Sequence, residues 1–174
     1  MGDKSRLMAL ALAAALAVSP LVGCGGSSSG EAAPAEAGQA EGTGVANPFV
    51  DCESAYDAAQ LAGFDVTFPE SVPGYTERTY QAIEGELVQC LYSEGESRVL
   101  VRKGVDDGSG DISGNYNEYA ETFTASIGDV EVTERGENGL VFVATWARDG
   151  YAFAIDADEG LDPETVEQLV AAIL

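Results

Sequence analysis

The chain has 174 residues, of which 30 are acidic and 8 basic, and its formal net charge at pH 7 is −22. A surface this acidic repels nucleic acid, anionic lipid and polyanionic wall polymers. It is compatible with metal cations, with a basic protein partner, or simply with solvent. The chain contains no histidine, which excludes catalytic sites of the Ser-His-Asp, Cys-His and HExxH types.

The first 23 residues have the pattern of a secretory signal peptide. Lys4 and Arg6 precede an apolar run over 7–18, which is too short to span a bilayer. The segment Leu21-Val22-Gly23-Cys24 then resembles a bacterial lipobox, in which Cys24 is the lipid-bearing first residue of the mature protein. The alternative is an ordinary signal peptide followed by a chance cysteine. Acyl chains such as palmitate contribute about 0.8 kcal/mol per buried CH₂, so we expect an extracytoplasmic protein anchored to the bacterial cell membrane.

Composition then divides the rest of the chain into two parts. Residues 24–47 contain the lipidated cysteine and a linker of Gly, Ser, Ala and Glu without aromatic residues, which cannot bury enough surface to fold. A flexible linker of this length spans roughly 25–30 Å. Residues 48–174 have the size of one small domain.

The domain begins with a predicted helix and continues with strands. Asp51 is the expected N-cap of an Ala-rich helix over 54–62, which Gly63 ends. The alternating run Phe64–Phe68 predicts the first strand, and the Pro73-Gly74 pair a turn. Short apolar or alternating runs predict seven more strands, over 78–83, 86–92, 98–103, 121–127, 130–135, 140–148 and 151–155.

Tight turns and a final helix complete the prediction. Asn138-Gly139 and Asp149-Gly150 accept the positive φ angles of hairpin turns. Asp162 is a good N-cap for a C-terminal helix with Pro163 in its first turn. One apolar stripe follows at helical spacing, formed by Val166, Leu169, Val170 and Ile173. The expected fold is α+β: a single domain with a curved antiparallel sheet of seven to eight strands and a helix at each end.

Cys52 and Cys90 remain as a pair once Cys24 carries lipid. In an oxidising compartment an even pair suggests one disulfide. The alternative is two separately buried thiols.

The acidic loop over 104–119 is the candidate for a metal site. Counting Asp107 as position 1 of a calcium-binding loop places oxygen ligands at most of the required positions. The candidate ligands are Asp107, Asp111, Asn115 and Glu118. Position 6 is Ile112 instead of the required Gly, and strands flank the loop. The alternative is a polar loop whose Asn and Asp side chains cap its own turns.

Three aromatic residues are further candidates. Tyr116 and Tyr119 could bind a ligand, or they could fasten the acidic loop over the sheet. Trp146 shares an expected strand face with Phe142 and Ala144, which favours core packing. Lys103 lacks a serine three residues before it, which argues against a Ser-Lys nucleophile. No motif indicates a cofactor, and we expect no enzyme.

Two stretches carry a resemblance to a known group of proteins. They are Val101–Gly104 with Asp111–Tyr119, and Ala144–Trp146 with Asp149–Tyr151 and residues 161–173. These segments are similar to a family of extracytoplasmic bacterial domains of unknown function, found in lipoproteins and in the outer parts of anti-sigma-factor-like membrane proteins. The resemblance implies an antiparallel sheet with a terminal helix, and the family has no established catalytic residues to carry over to this chain.

We therefore expect a cell-surface lipoprotein whose domain binds or senses a protein, a peptide or a small ligand without catalysis. One alternative is a cation-responsive domain that uses the acidic loop. Another is an envelope module related in shape to lipoprotein lipid carriers, which rests on analogy of fold alone.

Overall fold

Residues 47–174 are described in this computed structural model. The signal peptide, the lipidation at Cys24 and the linker up to residue 46 lie outside the described residues and stay predictions. No helix among the described residues is long and apolar enough to cross a membrane.

Eight strands and two helices follow one another along the chain. They are β1 (Val50–Cys52), α1 (Ala55–Ala62), β2 (Glu77–Ile83), β3 (Leu87–Glu94), β4 (Ser97–Val105), β5 (Glu121–Ile127), β6 (Val130–Glu137), β7 (Leu140–Arg148), β8 (Tyr151–Leu161) and α2 (Pro163–Ile173). The strands form one antiparallel sheet in the order β1-β2-β3-β4-β8-β7-β6-β5. The expected α+β fold, with eight strands and a helix towards each end, is confirmed.

Both helices pack against the same side of the sheet, which we call the core face. Strand residues on this face include Val101 of β4 and Ile155 of β8, which pair with each other and are buried. The apolar stripe of α2 is buried among them, as its spacing predicts. Neither of the two described helices packs on the opposite side of the sheet, which we call the open face.

The helix ends follow the physical rules, although one cap was wrongly predicted. Ser54, not Asp51, caps α1, because its side chain accepts a hydrogen bond from the Asp57 backbone while Asp51 belongs to β1. Gly63 ends α1 with a left-handed φ of 79°. Asp162 caps α2, and Pro163 opens it, as predicted.

The strand predicted over Phe64–Phe68 is wrong. This segment has no regular secondary structure and pairs with no strand among the described residues. Its alternating side chains Phe64, Val66 and Phe68 pack on the core face, so the pattern correctly marked a buried side. Alternation reports which side of an extended chain is buried, not whether its backbone has a ladder partner. The sheet gains its eighth strand from β1 instead.

Register shifts interrupt the ladders on both sides of β7, between Arg135 and Gly136 of β6 and between Val141 and Val143 of β7. Phe142 lies at this irregularity and stacks on Tyr119, with ring centroids 5.2 Å apart. The simple alternation predicted that Phe142 and Trp146 share one face of the sheet. This prediction is wrong, because Phe142 does not lie on the core face with Trp146. Trp146 itself is buried in the core, which confirms the packing expected of it.

Candidate functional site

The acidic loop crosses the open face of the sheet. We call residues 106–119 the strap. It connects β4, in the middle of the sheet, to β5 at its far edge, with β8, β7 and β6 lying between them. Four strand spacings of 4.7–4.9 Å amount to roughly 19 Å. The connection is long because the topology requires it to cross this distance.

Arg102 of β4 holds the first half of the strap. Its Nη1 donates hydrogen bonds to the backbone carbonyls of Ile112, at 2.9 Å, and Ser113. Ile112 also packs its side chain above Gly104, where a Cβ would lie 3.4 Å from its Cδ1. Burial lowers the pKa of Arg102, and the nearby Asp156 acts in the opposite direction. Ile112, which breaks the calcium-loop pattern, is thus an anchor of the strap.

A hydrogen-bonded chain connects Arg102 to the opposite edge of the sheet. Arg102 Nε donates to Gln89 Oε1 at 2.7 Å, and Gln89 Nε2 donates to Gln81 Oε1 at 2.6 Å. Gln81 Nε2 then donates to Asp51 Oδ1 at 2.7 Å. These side chains occupy one lateral row across β1, β2, β3 and β4. The row satisfies the buried polar atoms of Gln89 and orients the Arg102 guanidinium towards the strap.

Arg135 of β6 holds the middle of the strap. Its Nη2 lies 2.9 Å from Asp111 Oδ2, 3.4 Å from Ser113 Oγ and 3.1 Å from the Asn115 carbonyl. The Asp111 carboxylate also accepts the Ser113 backbone N–H at 2.8 Å. Both oxygens of Asp111 therefore have partners within the protein.

The end of the strap is fastened by Asn115 and Tyr119. Asn115 Nδ2 donates to Asp156 Oδ1 of β8 at 2.6 Å and to the Tyr119 hydroxyl at 2.9 Å. Tyr119 stacks on Phe142. This geometry agrees with the fastening role considered for Tyr119. The side chain of Tyr116 is 94% exposed.

The four candidate calcium ligands are not gathered around a common point. The carboxylate of Asp107 accepts the Ser109 N–H at 2.9 Å, in a turn of its own. Asp111 pairs with a guanidinium, and Asn115 Oδ1 accepts the Asn117 N–H at 3.0 Å. No group of three or more acidic or cysteine side chains suited to a metal occurs among residues 47–174. In this arrangement Asp107 and Asp111 cap turns or bind arginine, and the calcium site with Glu118 as its last ligand stays a prediction.

Two open clefts flank the Arg135–Asp111 ion pair. The first, of about 430 Å³, lies between the strap at Ser109–Asp111 and strands β6 and β7. The second, of about 540 Å³, lies between the strap at 115–119 and the start of β5, with Tyr116 and Thr122 in its wall. Arg135 and Asp111 line both clefts. Hydroxyl, amide and carboxylate groups converge there with two tyrosine rings.

The predicted disulfide is absent from the structure, because Cys52 and Cys90 are free thiols. Cys52 pairs with Tyr80 across β1 and β2, and Tyr80 pairs with Cys90 across β2 and β3. One whole strand therefore separates the cysteines, which places their Cα atoms roughly 9–10 Å apart. A disulfide requires Cα atoms closer than about 7 Å. Burial raises the pKa of Cys90 to about 11.

Lys103 lies on the core face, away from the strap. Its Nζ donates to the Asp65 carbonyl at 2.6 Å and lies 4.2 Å from the centre of the Tyr151 ring. Burial lowers its pKa. The amine thus fixes the extended segment after α1 against the sheet.

Arg102 and Arg135 were not singled out from the sequence as site residues, yet they hold the first half and the middle of the strap. A usable signal was present in β4, where Arg102 follows three apolar residues that read as a buried strand interior. An arginine at such a position needs buried acceptors, and the carbonyls of a crossing loop supply them. For Arg135 the sequence offers no comparable signal.

No protein-family model matches the chain, and no characterised protein and no solved structure is significantly similar to it.

Proposed function

We propose that the chain is a lipid-anchored, non-catalytic binding domain of the bacterial cell surface, and that its ligand binds on the open face beside the strap. The observation that carries this proposal is the pair of clefts on either side of Arg135 and Asp111. An irregular segment held over a sheet by two arginines presents polar groups in a fixed arrangement. Preorganised groups of this kind bind with little loss of conformational entropy.

The chemistry of the clefts favours a polar ligand, such as a peptide or a small hydroxylated molecule. Asn117 and Glu118 offer amide and carboxylate groups at the second cleft, and Tyr116 offers an exposed ring. The Nη2 group of Arg135 is already engaged by the strap, through Asp111, Ser113 and Asn115. Arg135 therefore supports the site, and the ligand contacts the residues around it.

A non-catalytic role agrees with the residues that line the clefts. They include no cysteine and no lysine, and the chain has no histidine. Imidazole, thiol and amine groups are thus missing from these two surfaces, and the titratable groups that remain are carboxylates, phenols and the Arg135 guanidinium. The resemblance to extracytoplasmic domains points to the same role, on the sequence motifs alone.

Photocrosslinking on intact cells tests the binding site. A photoreactive phenylalanine analogue replaces Tyr116 in the second cleft or, as the matched control, Tyr56 on α1. Both tyrosines are exposed, at 94% and 71%, and they lie on opposite sides of the sheet. We expect an adduct from position 116 and none from position 56. Adducts of equal yield from both positions, or none from position 116, would contradict a site beside the strap.

Metabolic labelling tests the anchor separately. Radioactive palmitate should label the native chain, and the C24S variant should lose the label together with its membrane association. If the native chain stays unlabelled, Cys24 is not lipidated and the proposed anchor is wrong. This result would not affect the proposed binding site on the open face.

A further inference from the structure

The two edges of the sheet differ in their protection. One edge is β1, which has only three residues, and the other is β5, which has seven. Exposed edge strands pair with other chains unless they are short or carry Lys, Pro or a bulge. β5 contains no Lys, Pro or Gly, and its one charged residue is Glu121 at the start. The edge at β5 is therefore long enough to pair and lacks the usual protection.

The hydrogen-bonding groups of this edge follow from the adjacent turn. A two-residue turn, Gly128-Asp129, joins β5 to β6, so Ile127 and Val130 close the hairpin as a hydrogen-bonded pair. Hydrogen-bonded residues alternate along an antiparallel ladder. The N–H and C=O groups of Thr122, Thr124 and Ser126 consequently point away from β6.

These outward groups are available to another chain. The side chains of Thr122, Thr124 and Ser126 are all exposed. No hydrogen bond between residues of the described range 47–174 reaches their outward backbone groups. On the core side of the same edge, Phe123 is 41% exposed, which offers an apolar contact to an added strand. Thr122 also lines the second cleft, so this edge continues the surface beside the strap.

Charge indicates which kind of chain fits. The protein carries a net charge of −22. Near this edge, Glu118 precedes β5, Glu121 begins it, and Glu131 lies on β6 directly opposite Ser126. All three carboxylates are exposed. An added strand with lysine or arginine side chains would meet opposite charge, whereas a second copy of this acidic chain would bring these carboxylates together.

We infer that the free edge of β5 binds an extended, basic segment of a partner protein, which adds a ninth strand through the backbone groups of Thr122, Thr124 and Ser126. This inference rests on the binding role proposed above and names the partner chemistry. Backbone pairing supplies affinity in this mode, and side-chain charge supplies specificity.

A titration followed by NMR tests the edge directly. The mature chain with the C24S substitution is mixed with a blocked peptide of alternating lysine and valine, as long as β5. A peptide with glutamate in place of lysine is the charge control. With the basic peptide we expect amide hydrogen exchange at Thr122, Thr124 and Ser126 to slow about tenfold, and with the acidic peptide no change.

Two variants at one position isolate the backbone contribution. T124P removes the outward N–H at an edge position where proline is tolerated, and T124V keeps it. We expect T124P to weaken binding at least about tenfold and T124V to bind like the parent chain. E131K leaves the edge backbone intact and should weaken binding of the basic peptide by a smaller factor, an effect that added salt reduces. The E131K variant therefore tests the charge contribution to binding even if T124P does not fold.

Three outcomes would overturn the inference. Changes in NMR chemical shift that are confined to the amides of Tyr116 and Asn117 would place the peptide in the second cleft instead of on the edge of β5. Slow exchange at the three β5 amides without peptide, together with dimerisation on concentration, would make a second copy the occupant. If millimolar basic peptide changes no amide chemical shift or exchange rate in β5, the edge is not a binding site for such a segment. Loss of edge binding with an adduct still formed at position 116 would overturn this inference alone, because the crosslinking judges the cleft separately.

Discussion

Glu134 is an acidic side chain that lies in the hydrophobic core of this sheet. It lies on β6 facing the core and is only 2% exposed. Burial, and then the neighbouring carboxylate of Glu167, raise the pKa of Glu134 above its ordinary value of 4.5. A carboxyl group with a raised pKa keeps its proton in the folded state after the unfolded chain has released it. The free energy of unfolding therefore decreases as the pH rises above about 4.5.

Replacing this carboxyl group should stabilise the protein at neutral pH. We expect E134Q to unfold with a higher free energy than the native chain at pH 7, and with a smaller gain at pH 4, where the native group is largely protonated in both states. Urea denaturation at both pH values measures the difference. E131Q, which removes an exposed carboxylate from the same strand, should change stability by less than about 0.5 kcal/mol. An E134Q gain that is equal at both pH values would contradict the titration argument.

The two thiols should differ in reactivity. Cys52 is half-buried, and burial together with Asp57 and Asp51 raises its pKa. Cys90 is fully buried. In the C24S chain we expect a thiol reagent at pH 8 to modify Cys52 slowly and Cys90 only when denaturant unfolds the sheet. A non-reduced protein whose mass is two hydrogens below that of the dithiol would contradict the separation of these residues across β2.

Among the larger elements, the strap depends on arginine more than on its own sequence. It contains no regular secondary structure, and its length is needed to cross three strands. Short turns within it are closed by side chains, such as Asp106 Oδ1 accepting the Gly108 N–H at 2.9 Å. Such turns are local and weak. The long-range contacts to Arg102 and Arg135 therefore decide whether the strap stays on the sheet.

Removing Arg135 should release the strap without unfolding the sheet. R135A deletes contacts to Asp111, Ser113 and Asn115, and hydrogen bonds to charged groups contribute about 1.5–3 kcal/mol. We expect a loss of stability in this range and faster amide exchange across 106–119. R135K, which keeps the charge but not the planar donors, should fall between R135A and the native chain. Exchange rates in the strap that are the same in all three chains would contradict this anchoring role.

The irregularity in β6 and β7 should tolerate no side chain at Gly136. A Cβ there would lie 1.9 Å from the Leu140 carbonyl oxygen, which is far inside a van der Waals contact. We expect G136A to lower the free energy of unfolding by at least about 3 kcal/mol. The control is G95N, in the turn between β3 and β4, where nothing lies within 4 Å of the added Cβ. Thermal melts of both variants measure the contrast, and a mild G136A phenotype would show that β6 can shift its register.

The described part of the molecule is stabilised by one core on one side of an open sheet; its cysteines are free thiols, and its described acidic side chains form no cluster of three or more suited to a metal. We expect the melting temperature of the C24S chain to be unchanged by millimolar calcium at fixed ionic strength, and unchanged by reducing agent. Differential scanning calorimetry measures both. A calcium shift of several degrees would restore a cation site on the strap, and a drop on reduction would restore a disulfide.

Local patterns in the sequence were sufficient for the helices and hairpins. Asn138 and Asp149 adopt positive φ angles of 56° and 53°, each followed by a glycine, so both turns form where their residues favour them. The cap and the apolar stripe of α2 also depend only on neighbours in the chain. Such features are encoded within a few residues, and tertiary contacts reinforce them.

The site and the cysteines depended on the arrangement of the strands. The spacing of Cys52 and Cys90 says nothing about the strand that separates them, because strand order follows from how the whole sheet buries its core. The acidic loop matched a calcium pattern because both uses need the same oxygen-rich residues. Only the folded sheet brings Arg135 to Asp111, and the sequence pattern gave no indication of this ion pair. The sequence by itself determined turns, caps and the buried side of each element, because these depend on neighbouring residues. Only the tertiary structure decided which side chains contact each other, because those contacts join distant parts of the chain.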